Sequence, residues 1–164
     1  MITELGHFAL MLALGVALFQ FAVPLYGAQA SNAAAMRAAV PAALTQVVLI
    51  ALAFAALTHA YVTSDFSVAN VFANSHSAKP LLYKISGVWG NHEGSLLLWV
   101  LILSVFGAAV ALFGNNLPLE LKARVLAVQG AIGVAFLLFM VLTSNPFERI
   151  DPAPIEGNGL NPIL

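Results

Sequence analysis

Four long apolar runs dominate the chain: Leu5 to Tyr26, Val40 to Val62, Gly94 to Phe113 and Leu121 to Thr143. Each has about the 20 residues that a helix needs to cross a hydrocarbon core of roughly 30 Å. Lipid offers backbone N–H and C=O groups no partners, so each run must satisfy its own as a helix. The expected fold is a single all-α integral membrane domain over 1–164, with spans at about 5–26, 40–62, 94–113 and 121–143. Two short connections, "YGAQASNAAAMRAAVP" (26–41) and "GNNLPLELKAR" (114–124), read as turns because Gly, Asn and Pro break the apolar pattern.

A longer polar loop, 63–93, separates the second and third runs. Within it Leu81, Leu82, Ile85, Val88 and Trp89 recur at helical spacing behind Pro80, a residue suited to a first helical position. This predicts a short helix over 80–89, too short to span and therefore interfacial. After the fourth run comes a Pro- and Gly-rich tail, 144–164. There "SNPFER" offers Asn145 as N-cap, Pro146 as first helical residue and Glu148 as third, while "DPAPIEGNGLNPIL" has nothing to propagate a helix.

Composition agrees: 61% of the 164 residues are hydrophobic and 8% charged, against about 25% charged in an ordinary soluble domain. A net charge of -1 with six scattered basic residues leaves no patch to neutralise phosphates, which excludes nucleic acid as a partner. The absence of cysteine excludes disulfides, thiolate metal sites and a cysteine nucleophile. "MITE" has no basic n-region and the first run exceeds the roughly 7 to 15 residues of a signal-peptide core, so the run is expected to stay as a helix. Arg37, Lys122 and Arg124 occupy the short loops against one acid, Glu120, which puts those loops in the cytoplasm. The N-terminus, the long loop and the tail then face outward, together with His7, His59, His76 and His92.

The polar residues inside the pattern carry the chemistry. Gln20, Gln46 and Gln129 fall in the inner third of three different spans and are expected to form a hydrogen-bonded layer between helices. At the outer end, "KISGVWGNHEGSLLLWV" (84–100) supports two readings. In one, Asn91 caps the third helix and Glu93 complements its positive end. In the other, a helix starting nearer Trp89 aligns Trp89, His92, Glu93, Leu96 and Trp99 on one face, where a planar, partly anionic ligand would find stacking and hydrogen bonds. Trp89, His92, Glu93 and Trp99 are the principal site candidates, with His76 and Lys84 as loop candidates. No nucleophile motif, phosphate loop or metal-ligand spacing is present, so no catalytic or metal-binding residue is assigned.

"HFAL", "DFSV", "YKISGVWGNHEGSLLLWVL" and "LTSNPFER" resemble, in order along the whole chain, the N-terminal part of the CcmF family of cytochrome c maturation proteins. The resemblance implies a polytopic protein of the bacterial inner membrane, in a haem lyase complex that attaches haem to apocytochrome c on the periplasmic side. It implies CcmE and CcmH as partners and haem as the group handled. The family's tryptophan-rich haem segment and haem-ligating histidines lie further along, so the chain is expected to be a fragment or one product of a split gene, scaffolding a C-terminal part that carries them. Trp89, His92, Glu93 and Trp99 would then shape an outer vestibule. Two other readings use the same residues: a small transporter or channel subunit with the glutamines as its polar path, and a purely structural membrane subunit.

Overall fold

The four apolar runs become four long helices in the computed structural model, which describes residues 1–159. They are α1 (Ile2–Gln29), α3 (Ala39–Thr63), α6 (His92–Phe113) and α7 (Leu119–Thr143), each long and apolar enough to cross a membrane. Short helices α2 (Ala33–Arg37), α4 (Ala69–Asn74) and α5 (Leu81–Gly87) lie between them, and a 3-10 turn, Gly114–Asn116, joins α6 to α7. No strand occurs among the described residues. The end of the tail, "LNPIL" (160–164), lies outside them.

The helices run further into the connections than the pattern suggests. In the first connection the turn shrinks to residues 30–32 because "NAAAMRAA" consists of strong helix formers. Asn32 caps α2, its Oδ1 accepting from the N–H groups of Ala34 and Ala35 at 3.0 and 3.2 Å. Pro41, read as a breaker, sits in the first turn of α3, where its missing N–H has no helical partner to lose. Pro24, by contrast, is inside α1 and leaves the carbonyl of Gln20 without its helical donor.

Helix α1 packs against α3 and α7, and α6 closes the bundle against both of these. Small residues set the approach. A Cβ on Gly6 would lie 2.6 Å from Cβ of Ala56 on α3, and one on Gly130 would lie 2.8 Å from the backbone N of Phe21 on α1. With little hydrophobic drive between helices in lipid, such backbone contacts and interhelical hydrogen bonds carry association. Most of the core, including Leu10, Ile50, Leu57, Leu97, Leu137 and Met140, forms one cluster.

The N-terminus, the long loop and the tail meet at one end of the bundle. The tail does not start the helix that "SNPFER" suggests. Oδ1 of Asn145 accepts from the N–H of Phe147 at 3.0 Å, but only a turn follows, because Arg149 pairs as an isolated antiparallel bridge with Val68. Ala69 N donates to Glu148 O at 2.8 Å and Ile150 N to Ser67 O at 2.9 Å. Further on, Asn158 N donates to Phe72 O and Gly159 N to Ser75 O. The tail is thus a strap laid along α4 and the residues around it.

Candidate functional site

The sequence around Gly94 dictates a sharp entry into α6. Asn91 is the N-cap, its Oδ1 accepting from Gly94 N at 2.8 Å, so α6 starts at His92 and Trp89 stays in the preceding turn. The turn presses the carbonyl of Val88 against Gly94, where a Cβ would lie 1.6 Å from that oxygen. Only glycine fits there.

Asn91 also belongs to a closed ring of side chains. The Tyr61 hydroxyl donates to Oδ1 of Asn70 at 2.6 Å, and Nδ2 of Asn70 donates to Oδ1 of Asn91 at 2.8 Å. Nδ2 of Asn91 closes the ring by donating to the Tyr61 hydroxyl at 2.9 Å, and it reaches Gly87 O as well. Asn70 donates its second proton to Oε2 of Glu93 at 2.9 Å. Tyr61 and Asn70 are buried, so the ring ties α3, α4 and the start of α6 together where an unmet polar group would be costly.

This divides the candidates into two sets. Glu93 turns inward to the ring, whereas His92 and Trp99 are exposed on α6, with the His92 ring edge-on to Phe139 of α7 at 6.3 Å. Below His92 an apolar groove runs between the helices, lined by Leu96, Ala135, Phe136 and Phe139. Trp89 is half exposed in the turn before α6, outside the helical stripe that would have aligned it with His92 and Glu93.

The loop candidates serve other contacts. Nζ of Lys84, on α5, donates at 2.7 Å to Oγ of Ser64, the residue that ends α3 in the left-handed region at φ 56°. Nδ1 of His76 accepts from Ala78 N at 3.1 Å and lies 3.9 Å from Glu156 of the strap. His7 meets Nδ2 of Asn145 at 3.4 Å and stacks on Phe147. His59 borders a second apolar groove, between α1 and α3, with Leu5, Phe8, Leu49 and Leu52. Among the described residues no three His, Asp or Glu side chains gather closely enough to hold a metal ion.

Charged groups fasten the strap. Arg149 pairs with Glu4 and Asp65 and donates to Ser67. Burial pushes the Asp65 carboxyl up, but hydrogen bonds from Ser67 and Thr3 and the charge of Arg149 outweigh it and leave its pKa below the ordinary value. Glu156 accepts from the hydroxyl and N–H of Ser77 and from Gly157 N, which holds its pKa at about 2. Neither the ring nor the strap follows from the sequence pattern; the only signal is that Asn70, Asn91 and Arg149 are polar residues beside buried apolar ones.

Deeper in the bundle, Gln20 and Gln129 do meet. Nε2 of Gln20 donates to Leu126 O at 2.9 Å and, longer, to Oε1 of Gln129 at 3.4 Å; Nε2 of Gln129 donates to Leu103 O at 2.7 Å. Gly107 makes the space, since a Cβ there would lie 2.0 Å from the Gln129 amide. Gln46, the third expected member, bonds to neither.

A family model described as cytochrome C assembly protein matches residues 89–164. Across its whole length the chain is 64% identical to the cytochrome c-type biogenesis protein ccl1 of Rhodobacter capsulatus, covering 25% of that protein. It is 46% identical to the cytochrome c-type biogenesis protein CcmF of Escherichia coli, covering 26% of it. A solved structure of the cytochrome c haem lyase CcmF superposes with a TM-score of 0.83 at 27% identity, over 90% of this chain and 25% of that one. The chain therefore spans about a quarter of the length of these relatives.

Proposed function

Because the chain corresponds to the N-terminal part of the CcmF-type cytochrome c biogenesis proteins, we propose that it is the N-terminal four-helix unit of a membrane haem lyase for cytochrome c maturation. In this reading the ring-bearing end of the bundle faces the periplasm from the bacterial inner membrane, with α5 at the lipid interface. The remaining partners are the C-terminal part of CcmF, on the same or a separate polypeptide, with CcmE, CcmH and apocytochrome c.

The observation that carries the reading is the division of the "WGNHEG" residues. Asn91, Glu93 and Gly94 fix the start of α6, and that start presents His92 outward at the α6–α7 groove, with Trp99 exposed further along the helix. An imidazole, an indole and an apolar groove suit contact with a planar, apolar group such as haem. Its ligation we assign to the C-terminal part: in this chain His7 and His76 are engaged by Asn145 and Ala78, and His59 and His92 stand apart beside different apolar grooves. The chain's part is to shape and position a surface, so no ligation step is assigned to it.

The test is the double variant His92→Ala, Trp99→Ala in the native membrane, with mature cytochrome c read by haem staining and chain level by immunoblot. Mature cytochrome c is expected to fall severalfold at unchanged chain level; unchanged maturation refutes the surface assignment. Because these 164 residues contain no cysteine, Ser77→Cys reports orientation when its labelling is compared with that of the parent. Labelling by a membrane-impermeant maleimide from the periplasmic side supports the topology, and protection until the cells are broken reverses it.

A further inference from the structure

Gln46 is buried with its whole side-chain amide unexplained by the packing of the described helices. Gln46 of α3 is 5% exposed, yet among the described residues neither its Nε2 nor its Oε1 has a hydrogen-bond partner. Oε1 of Gln20, on α1 and 1% exposed, is unpartnered too. Both border one cavity at the centre of the bundle, walled by Ala17, Val100, Ser104, Gln129 and the backbone of Gly130. At ~1.5 Å rise per residue, Gln20, Gln46 and Gln129 lie about 10 to 15 Å along their helices from the short-loop end, well inside the hydrocarbon.

At that depth an unmet amide costs several kcal/mol, and lipid tails have nothing to offer it. The cavity gives about 10 Å³ to the centre of a water molecule, which is about the room that one water needs. That size excludes larger polar ligands, and the lining carries no charged side chain that would favour an ion. Gln20 supplies a free acceptor and Gln46 both an acceptor and a donor, so the lining matches a molecule that donates and accepts at once.

We propose that the Gln20–Gln46 cavity is a built hydration site for a single structural water that bridges α1 to α3 at the membrane interior. The water donates to Oε1 of Gln20 and completes the glutamine layer by bonding the Gln46 amide. Gln129, already tied to Leu103 O on α6 and to Gln20, extends the same layer to α7. All four long helices are then joined at one level by amides and one water. The inference is independent of the haem lyase reading.

The test is water-edited solid-state NMR on the protein in lipid bilayers with ¹⁵N-labelled glutamine side chains. Magnetisation should pass from water to the Gln46 side-chain amide as it does for exposed amides, although Gln46 is buried. In Gln46→Met, close in shape and unable to hold the water, transfer to the Gln20 amide should drop at least severalfold. No transfer to Gln46 in the parent overturns the proposal, since a dry cavity gives none. Unchanged transfer to Gln20 in the variant overturns the bridge.

Discussion

Replacing Gly94 by alanine adds a single methyl group, and the structure fixes where it goes. The new Cβ would stand 1.6 Å from the carbonyl oxygen of Val88, 2.8 Å from its carbon and 3.2 Å from Nδ2 of Asn91. The first two are backbone atoms, so the turn must retreat by over an ångström. That movement stretches the 2.8 Å cap from Gly94 N to Asn91 and pulls Asn91 out of the ring with Tyr61 and Asn70. Overpacking of this kind costs about 1–3 kcal/mol, and loss of an Asn cap about 1 kcal/mol more. Gly94→Ala should therefore destabilise the fold by about 2–4 kcal/mol. Gly90→Ala is the control four residues away, because its Cβ would meet nothing closer than 3.6 Å. The assay is unfolding in mixed micelles by titration with SDS, followed by tryptophan fluorescence, since Trp89 and Trp99 flank the affected turn. If Gly94→Ala unfolds at the same midpoint as Gly90→Ala, the argument that the turn admits only glycine is wrong.

Asn70→Leu keeps the volume but opens the ring, leaving the Tyr61 hydroxyl and the Asn91 amide short of partners; a loss of about 1–3 kcal/mol is expected in the same titration, and no change would show that the ring is not stabilising. Ser31, in the turn after α1, has φ 54°, a region that costs an L-residue roughly 1–2 kcal/mol, so Ser31→Gly should stabilise. Ser64→Gly relieves the same backbone but removes the acceptor of Lys84, so its gain should be smaller, and equal gains would discount the Lys84 contact. The Glu156 carboxyl is depressed from an ordinary 4.5 to about 2 in the folded strap. Its contribution is thus fully present above pH 4.5 and is lost as pH falls towards 2. Cleavage of the strap by pepsin should rise across that window, and Glu156→Gln should flatten the rise.

Apolar run length was enough to place the four long helices, because in lipid the backbone leaves a run of that length no alternative to a helix. Their ends were less legible. Pro41 acts as a first-turn residue and not a stop, and the alanines around Met36 continue the helix where "YGAQASNAAAMRAAVP" reads as a turn. In the tail, the local capping geometry at Asn145 is real, but the long-range bridge to Val68 prevents the helix that the local sequence favours. Capping of α6 by Asn91 could be weighed from the sequence, whereas the inward turn of Glu93 depends on Asn70, 23 residues away and in a helix too short to be seen as a pattern. For the glutamines, position along the runs gave the shared level, but Gln46 and Gln20 face one cavity without touching, and the width of that gap is set by helix packing that the sequence does not display.

The two fastenings at the ring-bearing end of the bundle answer differently to their surroundings. Tyr61, Asn70 and Asn91 join through neutral hydroxyl and amide groups, none of which gains or loses a proton in acid. The strap is held by carboxylates, those of Glu4, Asp65 and Glu156. Acidification should therefore weaken the strap's carboxylate contacts first, leaving its backbone bonds and the neutral ring in place. The surface that carries His92 and Trp99 thus rests on a ring of neutral groups, to which Glu93 adds a single carboxylate contact.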